Sequence, residues 1–157
     1  HYAYISLGTN VGDKKENLVN AINYISEEND VMKKSSLYKT EPWGNKSQDE
    51  FINQVIYIET KKSPQELMKS LLQIEKKMGR ERLEKWGPRI IDLDILFYDD
   101  EIINEADLTI PHPFITERKF ILIPLKEISE ELNHPVSNHT IEWHLKTCAD
   151  KNKVVRI

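Results

Sequence analysis

The sequence predicts a single α+β domain, residues 1–157, in which helices cover an antiparallel β-sheet. The length of 157 residues suits one domain, and a hydrophobic content of 39% is enough to build a core. Segments with the periodicity of strands and helices follow one another in the order strand, helix, strand, strand, helix, strand. That order is typical of the ferredoxin-like split βαβ arrangement, and two later helical segments predict additional C-terminal helices.

The first half of the domain opens with a strand over residues 2–7, an apolar and aromatic run that stops at a glycine. Asp13 and Glu16 have the spacing of a helix start and predict a first helix behind them. Residues 35–39 then predict a short strand. The next segment, 41–50, combines a proline and a glycine with polar residues, so it predicts a long loop.

The middle of the chain carries the clearest helix signal. Alternating apolar residues over 51–60 first predict a half-buried strand. The sequence Ser63-Pro64-Gln65-Glu66 then combines a capping box with a proline at the first helical position. Behind it, apolar side chains recur at helical spacing up to Gly79 and predict a second helix: Leu67, Leu71, Ile74 and Met78.

The last third begins with a strong strand over residues 91–98. A tight turn at 99–100 predicts that this strand pairs with a short one near 101–104. Segments 118–128 and 140–147 predict the two C-terminal helices.

The composition excludes several classes of protein. The chain has 22 basic and 26 acidic side chains, and its net charge of −4 lacks the positive excess that nucleic-acid binding requires. No apolar stretch approaches the ~20 residues of a membrane span, and the first residues show no signal-peptide pattern. The single cysteine, Cys148, can form neither an intrachain disulfide nor a paired zinc site. We therefore expect a cytoplasmic protein that binds neither nucleic acid nor a membrane.

Two aspartates make the strand over residues 91–98 the most informative segment. A period of two places Asp92 and Asp94 on one face, with Cα atoms ~6.5–7 Å apart, close enough for both carboxylates to bind a hard cation such as Mg²⁺. The alternative is a solvated strand face without a ligand. The opposite face completes the apolar core without them: Ile91, Leu93, Ile95 and Phe97.

A basic segment leads into this acidic strand and contains four cationic side chains: Arg80, Arg82, Lys85 and Arg89. An arginine guanidinium can bind two phosphate oxygens at once, and carboxylates bind Mg²⁺. The two segments together therefore contain the groups that phosphoryl transfer uses. The alternative is an exposed charged loop with local ion pairs. His112, between two prolines, adds an imidazole that can donate to a phosphate.

Seven segments occur in an order and spacing that match one known family: SLGTNVGD (6–13), YKTEPWG (38–44), FIN (51–53), GR (79–80), WGPRIIDLDIL (86–96), PHP (111–113) and RKF (118–120). They resemble the corresponding segments of the 6-hydroxymethyl-7,8-dihydropterin pyrophosphokinase family. The resemblance extends from residue 2 to about residue 132, and its 86–96 segment is highly specific.

The resemblance implies an enzyme of folate biosynthesis. Such an enzyme transfers the β,γ-pyrophosphoryl group of ATP to the hydroxymethyl group of the pterin and releases AMP. It implies ATP as a co-substrate and two Mg²⁺ ions held by Asp92 and Asp94. None of the implied site residues is an obvious general base, which suits a reaction accelerated by positioning and charge neutralisation. We expect the enzyme to act as a monomer.

Carried over position by position, the resemblance also assigns site residues. The implied catalytic group consists of Arg80, Arg82, Arg89, Asp92 and Asp94. The residues implied to bind ATP are Arg82, Trp86, Arg89, Ile95, Thr109, His112 and Arg118. The residues implied to bind the pterin are Thr40, Trp43, Phe51, Asn53, Asp92 and Phe120. The two phenylalanines of that set would stack on opposite faces of the pterin ring.

Two other interpretations of the same residues remain open. A nucleotidyl or glycosyl transferase would use the aspartate pair with a metal and a nucleotide donor. It would release free pyrophosphate or a nucleoside diphosphate instead of AMP. A non-catalytic ferredoxin-like module would bind an anionic ligand or nucleic acid through the basic segment, and its binding would not need Mg²⁺.

Overall fold

The computed structural model describes residues 1–40, 49–79, 90–129 and 131–157. Its elements are β1 (Tyr2–Thr9), α1 (Lys14–Ser26), β2 (Asp30–Lys34), β3 (Tyr38–Thr40), β4 (Phe51–Glu59), α2 (Pro64–Lys77), β5 (Asp92–Tyr98), β6 (Ile103–Glu105), β7 (Leu108–Ile110), α3 (Lys119–Ile128), α4 (Ile141–Thr147) and β8 (Val154–Arg156). Most of the predicted loop 41–50 and the whole basic segment, residues 80–89, lie outside the described residues. Within the described ranges, no helix is both long enough and apolar enough to cross a membrane.

The main sheet is antiparallel, and its strands lie in the order β5, β1, β4, β3, β8. β2 and β3 pair with successive parts of β4, so together they form one interrupted strand. With that strand counted once, the order of strands and helices is the predicted ferredoxin-like one, and the α+β prediction is confirmed. The sequence pattern predicts neither β2 nor β8, because their side chains are mostly exposed and lack an apolar repeat.

Helices α1 and α2 cover one face of the sheet. The carboxylate of Asp13 accepts a hydrogen bond from the N–H of Glu16 at 3.1 Å, and Ser63 forms the predicted capping box with Glu66. Both helix starts are therefore confirmed. Their apolar stripes pack on the sheet in the main core, through Leu18, Ala21, Ile25, Leu67, Leu71 and Ile74.

The C-terminal helices cover much of the opposite face. Val55 of β4 is 1% exposed there and belongs to a second core with Tyr4, Leu96, Phe97, Ile115, Ile121, Leu122, Leu125 and Ile141. The prediction of a half-buried strand over 51–60 is wrong, since residues on both faces of β4 are buried. The alternation of apolar residues within the strand does not predict this burial, because the helices that cover its second face come from a distant part of the chain.

A β-bulge changes which core the end of β5 joins. Ile95 lies opposite Ile5, whereas Phe97 lies opposite Tyr4, so Leu96 is the extra residue. The predicted alternation places Phe97 on the same face as Ile95, and this is wrong. Phe97 packs in the second core, with its ring centroid 6.2 Å from that of Tyr4. The bulge therefore places the neighbouring residues Leu96 and Phe97 together in the second core.

The segment after β5 does not fold back onto that strand. The N–H of Asp99 donates to the Tyr2 carbonyl at 2.8 Å, and the Asp99 carboxylate accepts from the Tyr2 N–H at 2.8 Å. These bonds hold the turn against β1. The next strand, β6, pairs with β7, so the predicted pairing across 99–100 is wrong. Leu108 and Ile110 of β7 are buried in the main core and attach this hairpin to the sheet.

Glu127, near the end of α3, connects this helix to the β2–β3 strand. Its carboxylate accepts hydrogen bonds from the Ser36 N–H at 3.0 Å, the Ser36 hydroxyl at 2.8 Å and the Tyr38 hydroxyl at 2.6 Å. Burial raises the pKa of Glu127, but these hydrogen bonds and the charge of Arg156 together outweigh it and hold that pKa below its usual value. The charged carboxylate therefore fastens α3 to the strand that also carries Thr40.

We expect Glu127→Gln to lower the free energy of unfolding at pH 7 by roughly 0.5–1 kcal/mol, because a charged acceptor of several hydrogen bonds becomes neutral at an exposed site, where solvent screens the charge. The folded-state pKa of Glu127 is lowered. Its contribution is therefore complete above the unfolded-state pKa and is lost as pH falls through the folded-state value. Urea unfolding at neutral pH and at about pH 3 measures both effects. Glu131→Gln, at an exposed carboxylate, is the control, and a difference that does not shrink in acid contradicts this account.

Candidate active site

One end of the second sheet face is polar, because three strands place side chains there in register. Asn53 of β4 lies opposite Gly8 of β1, and Gly8 lies opposite Asp92 of β5. In the next row, Asp94 lies opposite Ser6. Paired residues of antiparallel strands share a face, so both aspartates project away from α1 and α2. The prediction that they share one face, opposite the main core, is confirmed.

Gly8 leaves room for the side chain of Asn53 in this polar row. A Cβ atom added at Gly8 would lie 2.9 Å from Oδ1 of Asn53 and 3.8 Å from the ring of Phe51. The Nδ2 of Asn53 donates to the Thr40 hydroxyl oxygen at 2.8 Å, and both residues are buried. The structure thus brings Thr40, Phe51 and Asn53 together next to Asp92. The sequence pattern indicates only a turn at Gly8, since close approach depends on the neighbouring strand.

Arg118 and Phe120 flank the first residue of α3. Burial lowers the pKa of the Arg118 guanidinium, while the charges of Asp94 and Asp92 act in the opposite direction. The guanidinium carbon lies 4.8 Å from the ring centroid of Phe114 and 5.6 Å from that of Phe120. A guanidinium keeps its charge at physiological pH, so Arg118 supplies a fixed positive charge near the two carboxylates.

His112 lies near the same charged groups. Its backbone N–H donates to the carbonyl of Leu96 at 3.0 Å, which holds the loop against β5. Burial lowers the pKa of the imidazole to about 4; the charge of Arg118 adds to this shift and that of Asp92 opposes it. Nδ1 accepts a hydrogen bond from the Phe114 N–H at 3.2 Å, so the proton of the neutral ring is on Nε2. His112 is therefore a neutral hydrogen-bond donor at physiological pH.

Ile95 and Thr109 present different groups to a ligand. The Ile95 side chain is 3% exposed and lies in the main core. The N–H of Leu93 points away from β1 towards Glu75, and the backbone of Ile95, two residues later, points the same way. Ile95 can therefore meet a ligand only through its backbone at the sheet edge. Thr109 is exposed in the middle of β7.

Glu75 is a buried carboxylate near the site that the sequence analysis overlooks. It is 3% exposed, and its Oε2 accepts the N–H of Leu93 at 2.7 Å, between Asp92 and Asp94. This bond gives a partner to a backbone N–H at the edge of the sheet, and it fixes the backbone that carries both aspartates. Glu75 follows Leu71 by four residues, which places it in the buried stripe of α2. A charged residue within such a stripe is the signal that identifies it.

The groups around the aspartates fit a magnesium ion shared with a phosphate ligand. Mg²⁺ is usually held by one or two carboxylates together with phosphate oxygens and waters. Asp92 and Asp94 supply two partly exposed carboxylates on one face. In the part of the chain that the structure describes, no group of three His, Cys, Asp or Glu residues is arranged to hold a metal.

Several predicted site residues lie outside the described residues and have no structural account here: Arg80, Arg82, Arg89, Trp43 and Trp86. Four described members of the predicted set can be related directly to the Asn53–Gly8–Asp92 row. Thr40 and Phe51 adjoin Asn53. Arg118 and His112 lie within the electrostatic influence of Asp92.

The chain matches the model of a known family, 7,8-dihydro-6-hydroxymethylpterin-pyrophosphokinase (HPPK), over residues 4–130. The 2-amino-4-hydroxy-6-hydroxymethyldihydropteridine pyrophosphokinase of Aquifex aeolicus is 41% identical over 85% of this chain and 83% of its own length. The protein of that name from Haemophilus influenzae is 41% identical over 99% of this chain and 97% of its own length. The folic acid synthesis protein fol1 of Pneumocystis carinii is 42% identical over 94% of this chain, which spans 20% of that relative.

Solved structures share the fold at lower sequence identity. Plasmodium falciparum HPPK-DHPS, in a crystal structure with SDX-DHP, has a TM-score of 0.73 and 19% identity over 92% of this chain and 43% of that one. A second structure of the same protein, with pteroate, has a TM-score of 0.75 and 18% identity over 92% of this chain and 44% of that one. The present chain thus spans less than half of these solved chains. The family match over most of the chain, together with relatives about 40% identical over most or nearly all of it, shows that the chain belongs to the HPPK family.

Proposed function

We propose that this chain transfers the pyrophosphoryl group of ATP to the hydroxymethyl group of 6-hydroxymethyl-7,8-dihydropterin, in folate biosynthesis, and releases AMP. Membership of the HPPK family supports this activity. The observation that carries it in the structure is the register row in which Asn53, Gly8 and Asp92 lie side by side. The row joins a buried amide next to an aromatic ring to the carboxylate of Asp92, and Asp94 lies in the next row on the same face. This arrangement suits a reaction between a pterin and a nucleotide.

The pterin binds, in this proposal, at the Asn53 end of the row. The amide oxygen of Asn53 faces the space above Gly8 and is suited to accept from the N–H groups of a pterin. Its amide nitrogen is held by Thr40, which fixes the orientation of the side chain. Phe51 and Phe120 offer aromatic faces for the ring, and Trp43 completes the site from the loop.

The triphosphate binds at the Asp92 end. Arg118 and the Nε2–H of His112 contact phosphate oxygens, with a fixed charge on one and a neutral donor on the other. Thr109 and the backbone of Ile95 contact the rest of the nucleotide. The basic segment completes the contacts with ATP through Arg80, Arg82, Trp86 and Arg89.

Asp92 and Asp94 hold two Mg²⁺ ions, which when bound neutralise charge on the triphosphate. The hydroxymethyl oxygen of the pterin attacks the β-phosphorus of ATP. The bond from that phosphorus to the oxygen bridging the α-phosphate breaks, so AMP leaves and the hydroxyl proton passes to water. The protein's own contribution is to hold both substrates in line and to surround the phosphates with fixed charges and donors.

We further propose that residues 1–157 form one catalytic domain that acts as a cytoplasmic monomer. The two cores support the single domain, because they pack on opposite faces of the same sheet and share strands β1, β4 and β5.

We expect the chain to release AMP from ATP only when the pterin and Mg²⁺ are both present, measured by a coupled assay. Asp92→Asn and Asp94→Asn should each reduce turnover by roughly 100-fold or more, because each removes a charged metal ligand. Their unfolding free energies should change little, since both side chains are partly exposed. Asp100→Asn, at an exposed carboxylate beyond the end of β5, is the control. Release of free pyrophosphate or of a nucleoside diphosphate would instead support the nucleotidyl or glycosyl transferase interpretation.

Asn53→Ala and Phe120→Ala should each weaken pterin binding by ~1–3 kcal/mol, because the ring loses polar partners in one variant and an aromatic face in the other. ATP binding should change much less, which calorimetry with each ligand separately tests. Trp143→Ala removes a partly exposed ring from α4 and serves as the control. An equal loss of affinity for both ligands would mean that these residues support the fold and do not contact the pterin.

The imidazole of His112 should remain neutral on acidification until the pH approaches about 4. NMR titration of the ring resonances measures this midpoint, and His112→Asn assigns the resonance by removing it. ATP should move the midpoint upwards, because a phosphate next to Nε2 favours the protonated ring. A midpoint near the ordinary histidine value without ligand contradicts the neutral state of the buried ring. A midpoint that does not change with ATP contradicts the proposed phosphate contact.

A further inference from the structure

Asp150, between α4 and β8, reaches back to the start of α3. Its Oδ2 accepts the N–H of Lys119 at 3.0 Å, across a separation of 31 residues, and its Oδ1 accepts the N–H of Asn152 at 2.9 Å. Lys119 is the first residue of α3, and the N–H groups of a first helical turn have no partner within the helix. The helix receives no capping hydrogen bond from the side chain of its own N-cap residue, Arg118. A carboxylate from the C-terminal segment therefore caps α3.

The position of this cap matters because Lys119 separates two residues of the proposed site. Arg118 precedes it and Phe120 follows it, so fixing the Lys119 N–H fixes the direction in which the chain enters α3 and the orientation of both neighbours. A carboxylate is also the favoured group at the positive end of the helix dipole. The charge of Asp150 acts on Arg118 in the same direction as those of Asp94 and Asp92.

The segment that carries Asp150 is itself held at both ends. Before it, α4 packs in the second core through Ile141. After it, β8 pairs with β3, where Val154 lies opposite Thr40. The C-terminal segment therefore contacts both the strand and the helix that supply the proposed pterin site.

We propose that Asp150 is a positioning residue, which by capping α3 holds Phe120 in the orientation that binds the pterin and also orients the neighbouring Arg118 towards ATP. The inference rests on the proposed function, because it concerns how that site is assembled. It adds to the site a residue that touches neither substrate.

The test compares steady-state kinetics of Asp150→Ala with the wild type. Loss of the cap is expected to raise the KM for the pterin by roughly five- to tenfold, the equivalent of one capping interaction. A purely structural role would reduce the fraction of folded enzyme, which lowers the apparent kcat and leaves KM unchanged. Asp150→Asn keeps one acceptor oxygen for Lys119 but loses the charge, so its KM should be roughly twofold above the wild-type value.

Thr140→Ala is the matched control. The Thr140 hydroxyl oxygen caps α4 by accepting the N–H of Trp143 at 3.1 Å, so this variant also loses one capping bond in the C-terminal region. Its Tm should fall about as much as that of Asp150→Ala, with an unchanged KM. A wild-type KM in both Asp150 variants, or an equal rise in Thr140→Ala, overturns the inference. If Asp150→Ala does not fold, the KM of Asp150→Asn decides.

Failure of the inference can be separated from failure of the proposed function. A wild-type chain that releases no AMP refutes the function. In that case, calorimetric titration of the pterin into wild type and Asp150→Ala still measures positioning: weaker binding by the variant supports it, and equal binding overturns it.

Discussion

The architecture depends on burying both faces of the central strands β1 and β4 with two separate pairs of helices. α1 and α2 cover one face, and α3 and α4 cover part of the other. Along the second face of β1, Tyr4 is in the core, Ser6 lies beside Asp94 and Gly8 lies in the polar row. A single strand face thus changes from apolar core to candidate site within five residues. The site lies where the cover of the C-terminal helices ends.

Strand β5 carries both site residues and core residues, and a bulge marks the boundary between them. Before the bulge, strict alternation places the two aspartates on the site face and Leu93 and Ile95 in the main core. The bulged residue Leu96 and the following Phe97 both join the second core. The bulge therefore separates the part of the strand that carries charge from the part that anchors α3 and α4. Glu75 holds the charged part from the sheet edge through the N–H of Leu93.

The electrostatics of the site follow from this partial cover. Asp92 and Asp94 stay accessible to a cation, while burial keeps His112 neutral next to the permanent charge of Arg118. A second positive charge at His112 would be repelled by Arg118, and the low pKa of His112 avoids that repulsion. Among the described residues that face the candidate site, Asp92 and Asp94 supply two anions, Arg118 a fixed cation and His112 a neutral donor. Such a set can bind a metal and a phosphate at the same time.

The sequence by itself determined the features that depend on near neighbours along the chain. The caps of α1 and α2 and the shared face of Asp92 and Asp94 depend on residues two to four positions apart, so capping and periodicity predict them. The resemblance of short motifs predicted the family, while the site roles they imply remain proposals. Only the tertiary structure decided the burial of both faces of β4, the bulge at Leu96, the pairing of β6 with β7 and the cap from Asp150. Each of these depends on contacts between backbone segments brought together by folding, and no local pattern encodes which distant hydrogen-bond partner or covering helix a residue will meet.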